Sequence, residues 1–330
     1  MIFIGKSPYR VSLLGGSSDL DWFVKEKGFG TCLGFALKHY SYSVLNVLPA
    51  NSKKGILDYS TREIYSGINE IVHPIVREVL NELKISRYIE LKTFGFASGG
   101  SGLGGSASFL LSLLSSVSKA FSLKISDKEI IEKACFIEIQ KLNKPIGKQD
   151  QYLCAHKGFN SFTFYENDTV VKNELSLQKL NTLERLSNSF YLIPTNKNRN
   201  SDLVLSEIKK DSKAIEKIIQ IRSIANDFLS FQDEREYKIE EYFHESMRNS
   251  WRIKKTISKV MTNSLNEQYE SINNLIPNNW IRLIGAGSGG YFLVSSKIEE
   301  KKIYDLIDND AIKGIFKASI SNEGISSFEL

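Results

Sequence analysis

The chain has 330 residues, of which 42% are hydrophobic and 25% are charged, and its formal net charge at pH 7 is +5. This length predicts one large domain or, more naturally, two domains that share an interface, and the composition is that of a globular protein with a substantial core. No apolar run approaches the roughly 18 residues that a membrane-spanning helix needs, and the positive charge is too weak and too dispersed to indicate nucleic-acid binding.

The first part of the chain alternates extended and helical patterns. Residues 1–6 are too short and too soon polar for a signal peptide and are interpreted as the start of a first strand. Apolar spacing predicts a helix over 70–83, and a strongly apolar helix is expected at about 106–121, after a glycine-rich loop at 95–105. Aliphatic and β-branched residues predict strands at 8–14, 41–48 and 88–94.

Ser126 and Glu129 have the spacing of a capping box, which predicts the start of another helix. This helix is expected to end before Pro145 and Gly147, because neither residue continues a helix well. A β-hairpin is predicted at 158–171.

The pattern changes near residue 175, where long charged helical stretches begin. Helices are expected at 201–232, 236–262 and 299–307. Strands are expected at 190–194, 281–285, 291–294 and 315–320. Two strands that flank a helix at the end of the chain suggest a split β-α-β lobe. We therefore predict a lobe at 1–175 and a second lobe at 176–330.

Neither cysteine nor histidine spacing indicates a metal or disulfide framework. Cys32, Cys135 and Cys154 cannot all pair with one another, and no pair has the C-x-x-C arrangement. The four histidines lie far apart in the sequence, which argues against a zinc site. A reducing cytoplasm is the expected compartment.

The glycine-rich loop is the most informative segment. Its glycines allow positive φ angles, so that backbone N–H groups converge on an anion, and the helix that follows adds its positive dipole end. The hydroxyl of Ser106 or Ser108 is placed to reach a metal ion or a phosphate oxygen. The alternative is a flexible surface loop or tight packing. The predicted phosphate-binding residues are Gly99, Gly100, Ser101, Gly102, Leu103, Gly104, Gly105, Ser106 and Ala107.

Other phosphate-binding folds fit poorly. A G-x-G-x-x-G pattern occurs twice, at 100–105 and at 285–290, and both cannot be dinucleotide fingerprints. A dinucleotide site would need an acidic residue at the end of a second strand, about 20 positions after the glycine pattern at 100–105, but that region is predicted to be the start of a helix. No Walker lysine and no protein-kinase triplet accompanies the glycines. An NAD(P)-dependent oxidoreductase is therefore a weak alternative.

Three motifs together resemble the GHMP kinases, the family of galactokinase, homoserine kinase, mevalonate kinase and phosphomevalonate kinase. The first is Ser-Pro-x-Arg followed by an aliphatic strand and Gly-x-x-x-Asp, at 7–19. Alone it would be an ordinary strand and turn. The second is the glycine-rich loop, and the third is Ile-Gly-Ala-Gly-Ser-Gly-Gly-Tyr-Phe at 284–292. Their order covers nearly the whole chain.

The resemblance implies a two-lobed α+β fold. Its first lobe would resemble domain 2 of ribosomal protein S5, its second lobe would be ferredoxin-like, and the active site would lie between them. It also implies ATP and Mg²⁺ as cofactors. Ser106 and Glu138 are then the expected Mg²⁺ ligands, with phosphates and water completing the octahedron. Otherwise Glu138 would be a solvated acid on a helix face.

Asp150 and Arg10 are the catalytic residues that the resemblance implies. Asp150 would accept or orient the proton of the attacking hydroxyl, while Arg10 would stabilise charge beside the transferred phosphate. Without the resemblance, Asp150 would be the N-cap of a short helix at 151–156 and Arg10 a surface residue on an edge strand.

Within the family, the opening motif and Gly-Lys-Gln-Asp-Gln-Tyr at 147–152 resemble the D-glycero-D-manno-heptose 7-phosphate kinases. Arg199 would then bind the second phosphate, with Lys197 or Lys148 as other candidates. Two departures bear on the substrate. Gly105 replaces the first of two serines in the family loop. Gly16 and Ser17 stand where galactokinases have an acid and a histidine, which argues against galactose as the substrate. The expected substrate-binding residues are Gly16, Ser17, Asp19, Arg199, Gly287 and Ser288.

These observations predict an ATP-dependent kinase that phosphorylates the anomeric hydroxyl of D-glycero-D-manno-heptose 7-phosphate, in the synthesis of activated heptose for bacterial surface polysaccharide. Another GHMP sugar kinase, such as one similar to fucokinase, or a non-catalytic sugar-binding relative are the alternatives. Neither nucleic acid nor a membrane is expected as a partner. The charged helices between 201 and 262 are candidates for a lid or a homodimer contact.

Overall fold

The computed structural model describes residues 1–97, 100–197, 201–257, 260–298, 301–302, 305, 312 and 314–330. The strands are β1 (Ile2–Leu14), β2 (Phe29–Val47), β3 (Gly55–Asp58), β4 (Arg62–Tyr65), β5 (Ile89–Phe94), β6 (Phe159–Tyr165), β7 (Val170–Asn173), β8 (Phe190–Pro194), β9 (Trp280–Leu283), β10 (Tyr291–Ser295), β11 (Phe316–Lys317) and β12 (Ser326–Glu329). The helices are α1 (Asp21–Lys27), α2 (Pro74–Glu82), α3 (Gly105–Ala120), α4 (Asp127–Cys135), α5 (Gln149–Ala155), α6 (Leu177–Ser187), α7 (Ser201–Lys210), α8 (Ser212–Ser230), α9 (Glu236–Lys254) and α10 (Asn263–Leu275).

The first lobe is built on a mixed sheet in which the long strand β2 is the centre. Its strand order is β12-β1-β2-β5-β3-β4, and the hairpin of β6 and β7 joins the other end of β2. Helix α3 packs on β1 and β2 and is buried along most of its length, including Leu110, Leu113 and Leu114. A helix that is apolar on nearly all sides belongs in the centre of a domain, so this packing fixes the glycine-rich loop that precedes α3.

The second lobe contains an antiparallel sheet with the order β11-β8-β10-β9 among the described strands. Its core is continuous with that of the first lobe. Phe35 on β2 contacts Phe190 on β8, with ring centroids 6.2 Å apart. The buried Arg282 on β9 donates a hydrogen bond to the backbone carbonyl of Leu13. The two lobes therefore share a packed interface.

The α+β architecture expected from the sequence is confirmed, with local differences. The stretch at 201–232 is two helices, because Asp211 interrupts it and caps α8 by accepting a hydrogen bond from the Lys213 N–H at 3.0 Å. The helix expected at 236–262 ends at Lys254. The helix expected at 299–307 lies largely outside the described residues.

The last strand returns to the first lobe, since β12 pairs antiparallel with β1, for example Phe3 with Glu329. The division of the chain at residue 175 stays a prediction.

None of the described helices is long and apolar enough to cross a membrane. The three cysteines are buried and free.

Candidate active site

A cleft between the lobes collects most of the residues singled out in the sequence. From the first lobe it is lined by the glycine-rich loop, the turn that follows β1, and the segment around the start of α5. From the second lobe, α7, α9 and the turn after β9 contribute Asp202, Leu205, Lys254, Gly285 and Ala286. Most of the side chains that line this cleft are polar or charged.

Every second residue from Gly100 to Gly104 has a left-handed backbone conformation, with φ of 80° at Gly100, 78° at Gly102 and 73° at Gly104. A Cβ atom at Gly104 would lie 2.9 Å from both the Arg10 Cγ and the Cys154 Sγ, so a side chain there would be strained and crowded. The first N–H groups of α3 lack intrahelical acceptors. Together with the dipole of α3, they form a site suited to an anion.

Most of the predicted loop residues line the cleft, namely Gly100, Gly102, Gly104, Gly105, Ser106 and Ala107. Ser101 and Leu103 are buried and are not among its lining residues. Ser108 is fully buried and its hydroxyl donates to the Ser7 carbonyl at 2.9 Å, which leaves Ser106 as the hydroxyl at the cleft. Gly99 lies outside the described residues.

Arg10 and Asp150 form a bidentate ion pair on the floor of the cleft. The Arg10 Nε donates to Asp150 Oδ1 at 2.9 Å and the Nη2 donates to Oδ2 at 2.6 Å. The Arg10 Nη1 donates to the Gly102 carbonyl, and the Arg10 N–H donates to the Leu103 carbonyl at 2.9 Å. Burial lowers the pKa of Arg10, but the charge of Asp150, its hydrogen bonds and the nearby Cys154 and Asp19 together more than offset this, so that the pKa of Arg10 is raised.

The structure corrects the local interpretations of these two residues. Arg10 is only 4% exposed, so it is not a surface residue of an edge strand. The N-cap of α5 is Lys148, which makes no side-chain capping hydrogen bond, and Asp150 lies within the first turn of the helix. Because Asp150 remains 30% exposed, its carboxylate is accessible from the cleft.

Asp19 is a buried residue of the turn that follows β1. Its Oδ2 accepts from the Gln149 N–H at 3.0 Å and its Oδ1 accepts from the Gln149 Nε2 at 2.7 Å. Gln149 in turn accepts from the Ser12 hydroxyl at 2.9 Å. Burial raises the pKa of Asp19 to about 6, although the hydrogen bond from the Gln149 backbone opposes the shift. Gly16 and Ser17 line the cleft beside it.

Glu138 lies in a π-helical turn, Phe136–Lys141, that directly follows α4. It is 1% exposed. Its Oε1 accepts from the Ser106 hydroxyl at 2.5 Å and from Lys144 Nζ at 2.7 Å, while its Oε2 accepts from Gln151 Nε2 at 2.6 Å. Lys144 also donates to Ser106 Oγ at 2.7 Å. Glu138 is thus not a solvated acid on a helix face.

These contacts bear on where a divalent metal would bind. Ser106 Oγ and Glu138 Oε1 converge on one cation, the Lys144 ammonium, so the two oxygens are arranged to share a positive charge. Among the described residues, no group of three or more His, Cys, Asp and Glu side chains converges. The donor set therefore fits Mg²⁺ that takes its remaining ligands from phosphate and water.

The third motif, at 284–292, contributes to the cleft with other residues than those expected to bind the substrate. Gly285 and Ala286 line the cleft, whereas Gly287 and Ser288 are not among its described lining residues. The Ser288 N–H donates to the Val260 carbonyl at 2.8 Å. Arg199 lies outside the described residues. Lys254 of the second lobe also lines the cleft, and its Nζ donates to the Gly285 carbonyl at 2.7 Å.

Sequence reasoning gave no role to Gln149, Gln151, Lys144 or Lys254. The first two belong to the Gly-Lys-Gln-Asp-Gln-Tyr segment, which had been singled out as a resemblance, so a signal existed for them. Lys144 directly precedes Pro145, where the predicted helix was expected to have ended, and nothing in the local pattern distinguishes it from a solvated lysine. Lys254 is one cation among many on a charged helix.

Part of the chain is similar to a known family of small-molecule kinases. Residues 70–158 match the family described as GHMP kinases N terminal domain. This segment contains the glycine-rich loop and Glu138, and it ends beyond Asp150. The chain therefore carries the GHMP kinase N-terminal domain in a GHMP kinase fold, and it is a phosphotransferase with an alcohol group as acceptor.

One curated relative is similar along nearly the whole chain. It is the D-glycero-alpha-D-manno-heptose 7-phosphate kinase of Campylobacter jejuni subsp. jejuni serotype O:2, with 26% identity over 316 residues, 92% of this chain and 91% of the relative.

Solved structures show the same fold. A D-glycero-D-manno-heptose 1-phosphate kinase from Bacteriodes thetaiotaomicron has a TM-score of 0.76 at 20% identity, over 100% of this chain and 99% of that one. The mevalonate kinase of Methanococcus jannaschii has a TM-score of 0.70 at 17% identity, over 98% of this chain and 96% of that one. At these low sequence identities, the structural similarity shows that the fold is shared and nothing more.

Proposed function

We propose that the protein is an ATP-dependent sugar kinase that phosphorylates the anomeric hydroxyl of D-glycero-D-manno-heptose 7-phosphate and releases the 1,7-bisphosphate. The observation that carries this proposal is the ion pair of Arg10 and Asp150 directly below the glycine-rich loop. The ion pair places a carboxylate, a possible proton acceptor, beside the anion-binding site formed by the glycine-rich loop and the start of α3. The product would enter the synthesis of nucleotide-activated heptose for bacterial surface polysaccharide.

In this proposal the glycine-rich loop and the first turn of α3 hold the phosphates of ATP. Ser106 and Glu138 hold Mg²⁺, which neutralises phosphate charge when it is bound. Phosphoryl transfer needs little more from a protein than positioning and charge stabilisation. Arg10 supplies a fixed positive charge next to the cradle, because its guanidinium is anchored on the Gly102 carbonyl and on Asp150.

Asp150 is proposed to receive the proton of the attacking hydroxyl. The sugar oxygen forms a bond to the γ-phosphorus, the bond from that phosphorus to the bridging oxygen of ADP breaks, and the hydroxyl proton moves to a carboxylate oxygen of Asp150. The fork of Arg10 fixes the orientation of this carboxylate. A proton acceptor must lie within hydrogen-bond reach of the hydroxyl, and Asp150 lines the cleft in which that hydroxyl would lie.

The sugar is proposed to lie on the turn that follows β1, against Gly16, Ser17 and Asp19. Each Asp19 oxygen already accepts from Gln149, so Asp19 would contact sugar hydroxyls only with its remaining lone pairs. The second phosphate of the substrate is proposed to bind at Arg199. Gly287 and Ser288 remain proposed as substrate-binding residues, and a homodimer remains a prediction.

The test is ADP release from Mg-ATP with a panel of acceptors. The panel contains D-glycero-D-manno-heptose as the 7-phosphate, as the 1-phosphate and unphosphorylated, together with mannose, fucose, galactose and mevalonate. We expect turnover on the 7-phosphate, with a new anomeric phosphate in the ³¹P spectrum of the product. Preference for an unphosphorylated sugar would contradict the proposed second phosphate-binding site at Arg199. ATP binding without turnover on any acceptor would contradict the proposed substrate.

A further inference from the structure

Lys144 occupies the position at which two metal-ligand candidates converge. Its Nζ lies 2.7 Å from Ser106 Oγ and 2.7 Å from Glu138 Oε1. The two oxygens also contact each other, since the Ser106 hydroxyl donates to Glu138 Oε1 at 2.5 Å. The ammonium therefore stands where a metal ion bound by the same two oxygens would have to enter.

The backbone holds Lys144 in this place. The chain turns back after the π-helical turn Phe136–Lys141, and the Lys144 N–H donates to the Glu138 carbonyl at 3.0 Å. The Lys144 side chain is 22% exposed, so it reaches the buried carboxylate from the cleft side. This turn therefore places Lys144 next to Glu138.

Glu138 needs a positive partner because it is 1% exposed. A buried carboxylate is costly unless it is paired and hydrogen-bonded. Lys144 provides the charge, while Gln151 donates to the other oxygen at 2.6 Å. The pair is thus electrically balanced without a metal ion. A dication that joined it would meet a like charge at close range in a partly desolvated site, and only added negative charge would offset this repulsion.

We propose that Lys144 is a tethered cation that excludes free divalent metal from the Ser106–Glu138 pair, so that the metal enters only together with the nucleotide. The phosphates bring the negative charge that draws the ammonium away from Glu138 and lets the metal take its place. This inference rests on the proposed function, because it presumes that the cleft binds a nucleotide. It makes Lys144 a positioning residue that sets the order in which ligands bind.

The experiment measures Mn²⁺ binding by electron paramagnetic resonance, with and without ADP, in the full chain. The variants are Lys144→Met, Lys144→Arg and, as a matched control, Lys141→Met, which removes an exposed charge three positions away. Without ADP, we expect Lys144→Met to bind Mn²⁺ at least about tenfold more tightly than the wild type, because the like charge is gone. Lys144→Arg and Lys141→Met should bind it as weakly as the wild type does.

With ADP present, the wild type and Lys144→Met should both bind Mn²⁺, and their affinities should differ much less. Equal Mn²⁺ affinity of the wild type and Lys144→Met without ADP would overturn the inference, as would an equal gain in Lys144→Arg. Thermal unfolding checks that each variant is folded, and Lys144→Gln replaces the methionine variant if that one is not. If the wild type binds no ADP with Mn²⁺, the proposed kinase function fails, whatever the metal-only comparison shows.

Discussion

Both carboxylate oxygens of Asp150 accept hydrogen bonds from one guanidinium, that of Arg10, at 2.9 and 2.6 Å. The two residues are 140 positions apart, on β1 and in the first turn of α5. A bidentate pair of this kind fixes the plane of the carboxylate as well as its charge. Asp150 is therefore held in one orientation beside the glycine-rich loop, to which Arg10 also binds.

Replacing this carboxylate should abolish most turnover. In Asp150→Asn we expect kcat to fall about 10²- to 10⁴-fold, the range for the loss of a general base, while the KM for ATP changes little. Asp58→Asn, at the end of β3 and away from the described cleft lining, serves as the control. A drop of less than about threefold would remove Asp150 from the proton-transfer role.

Arg10 should not tolerate lysine, although the charge is retained. A lysine ammonium cannot reproduce two parallel hydrogen bonds to Asp150 together with the bond to the Gly102 carbonyl. We expect Arg10→Lys to remain folded and to lose about 10² to 10³ in kcat, as for the loss of an oriented donor in an active site. Steady-state kinetics with a circular dichroism control would measure this. Wild-type kcat in Arg10→Lys would show that only the charge matters.

The sequence predicted those parts of the molecule that local pattern encodes. The apolar run of α3 and the glycines before it define the loop, and the strand at 190–194 has the predicted bounds. The pairing of β12 with β1 could not be predicted, because no local signal specifies a partner more than 300 positions away. The contact of Gln149 with Asp19, 130 positions away, likewise emerged only in the structure. Lys144 lies near Glu138 in the sequence, but no local pattern distinguishes it from a solvated lysine. Asp150 and Arg10, by contrast, were found through a motif that the family resemblance supplied.

Glu138 and Lys144 should show strong coupling in stability. Lys144→Met leaves the Glu138 carboxylate, which is 1% exposed, without its charged partner, and we expect a loss of roughly 3 kcal/mol in the free energy of unfolding, the low end for breaking a buried ion pair. The double variant Glu138→Gln with Lys144→Met should recover part of that loss, because the unpaired charge is gone. Urea unfolding of the four proteins in the cycle measures the coupling. Additive effects would mean that the pair is not a stabilising unit.

Arg199 should matter only for a phosphorylated acceptor. If it binds the second phosphate, Arg199→Ala should raise the KM for heptose 7-phosphate about 10- to 100-fold, which is the effect of losing a hydrogen bond to a charged group. The KM for ATP should stay the same. Lys197→Ala tests the neighbouring candidate in the same assay. A larger effect in Lys197→Ala than in Arg199→Ala would move the anion site to Lys197.

Asp19 should make the protein less stable as the pH rises from about 4 to about 6. Burial raises its pKa in the folded state from 3.8 to about 6. Between these values the folded protein holds a proton that the unfolded chain has released, so the free energy of unfolding falls with increasing pH. At 1.36 kcal/mol per pKa unit, the expected loss is about 3 kcal/mol, and it is complete above about pH 6.

The measurement compares the wild type with Asp19→Asn by urea unfolding between pH 4 and pH 8. Other carboxylates titrate equally in both proteins, so the difference between them isolates Asp19. Relative to Asp19→Asn, the wild type should be most stable near pH 4 and should lose its advantage by about pH 6.5. Asparagine cannot accept from both Gln149 donors, so it shifts the curve by a constant amount but cannot supply the slope. A difference that is independent of pH would mean that Asp19 is ionised in the folded protein throughout this range, and the Gln149 hydrogen bonds would then outweigh burial.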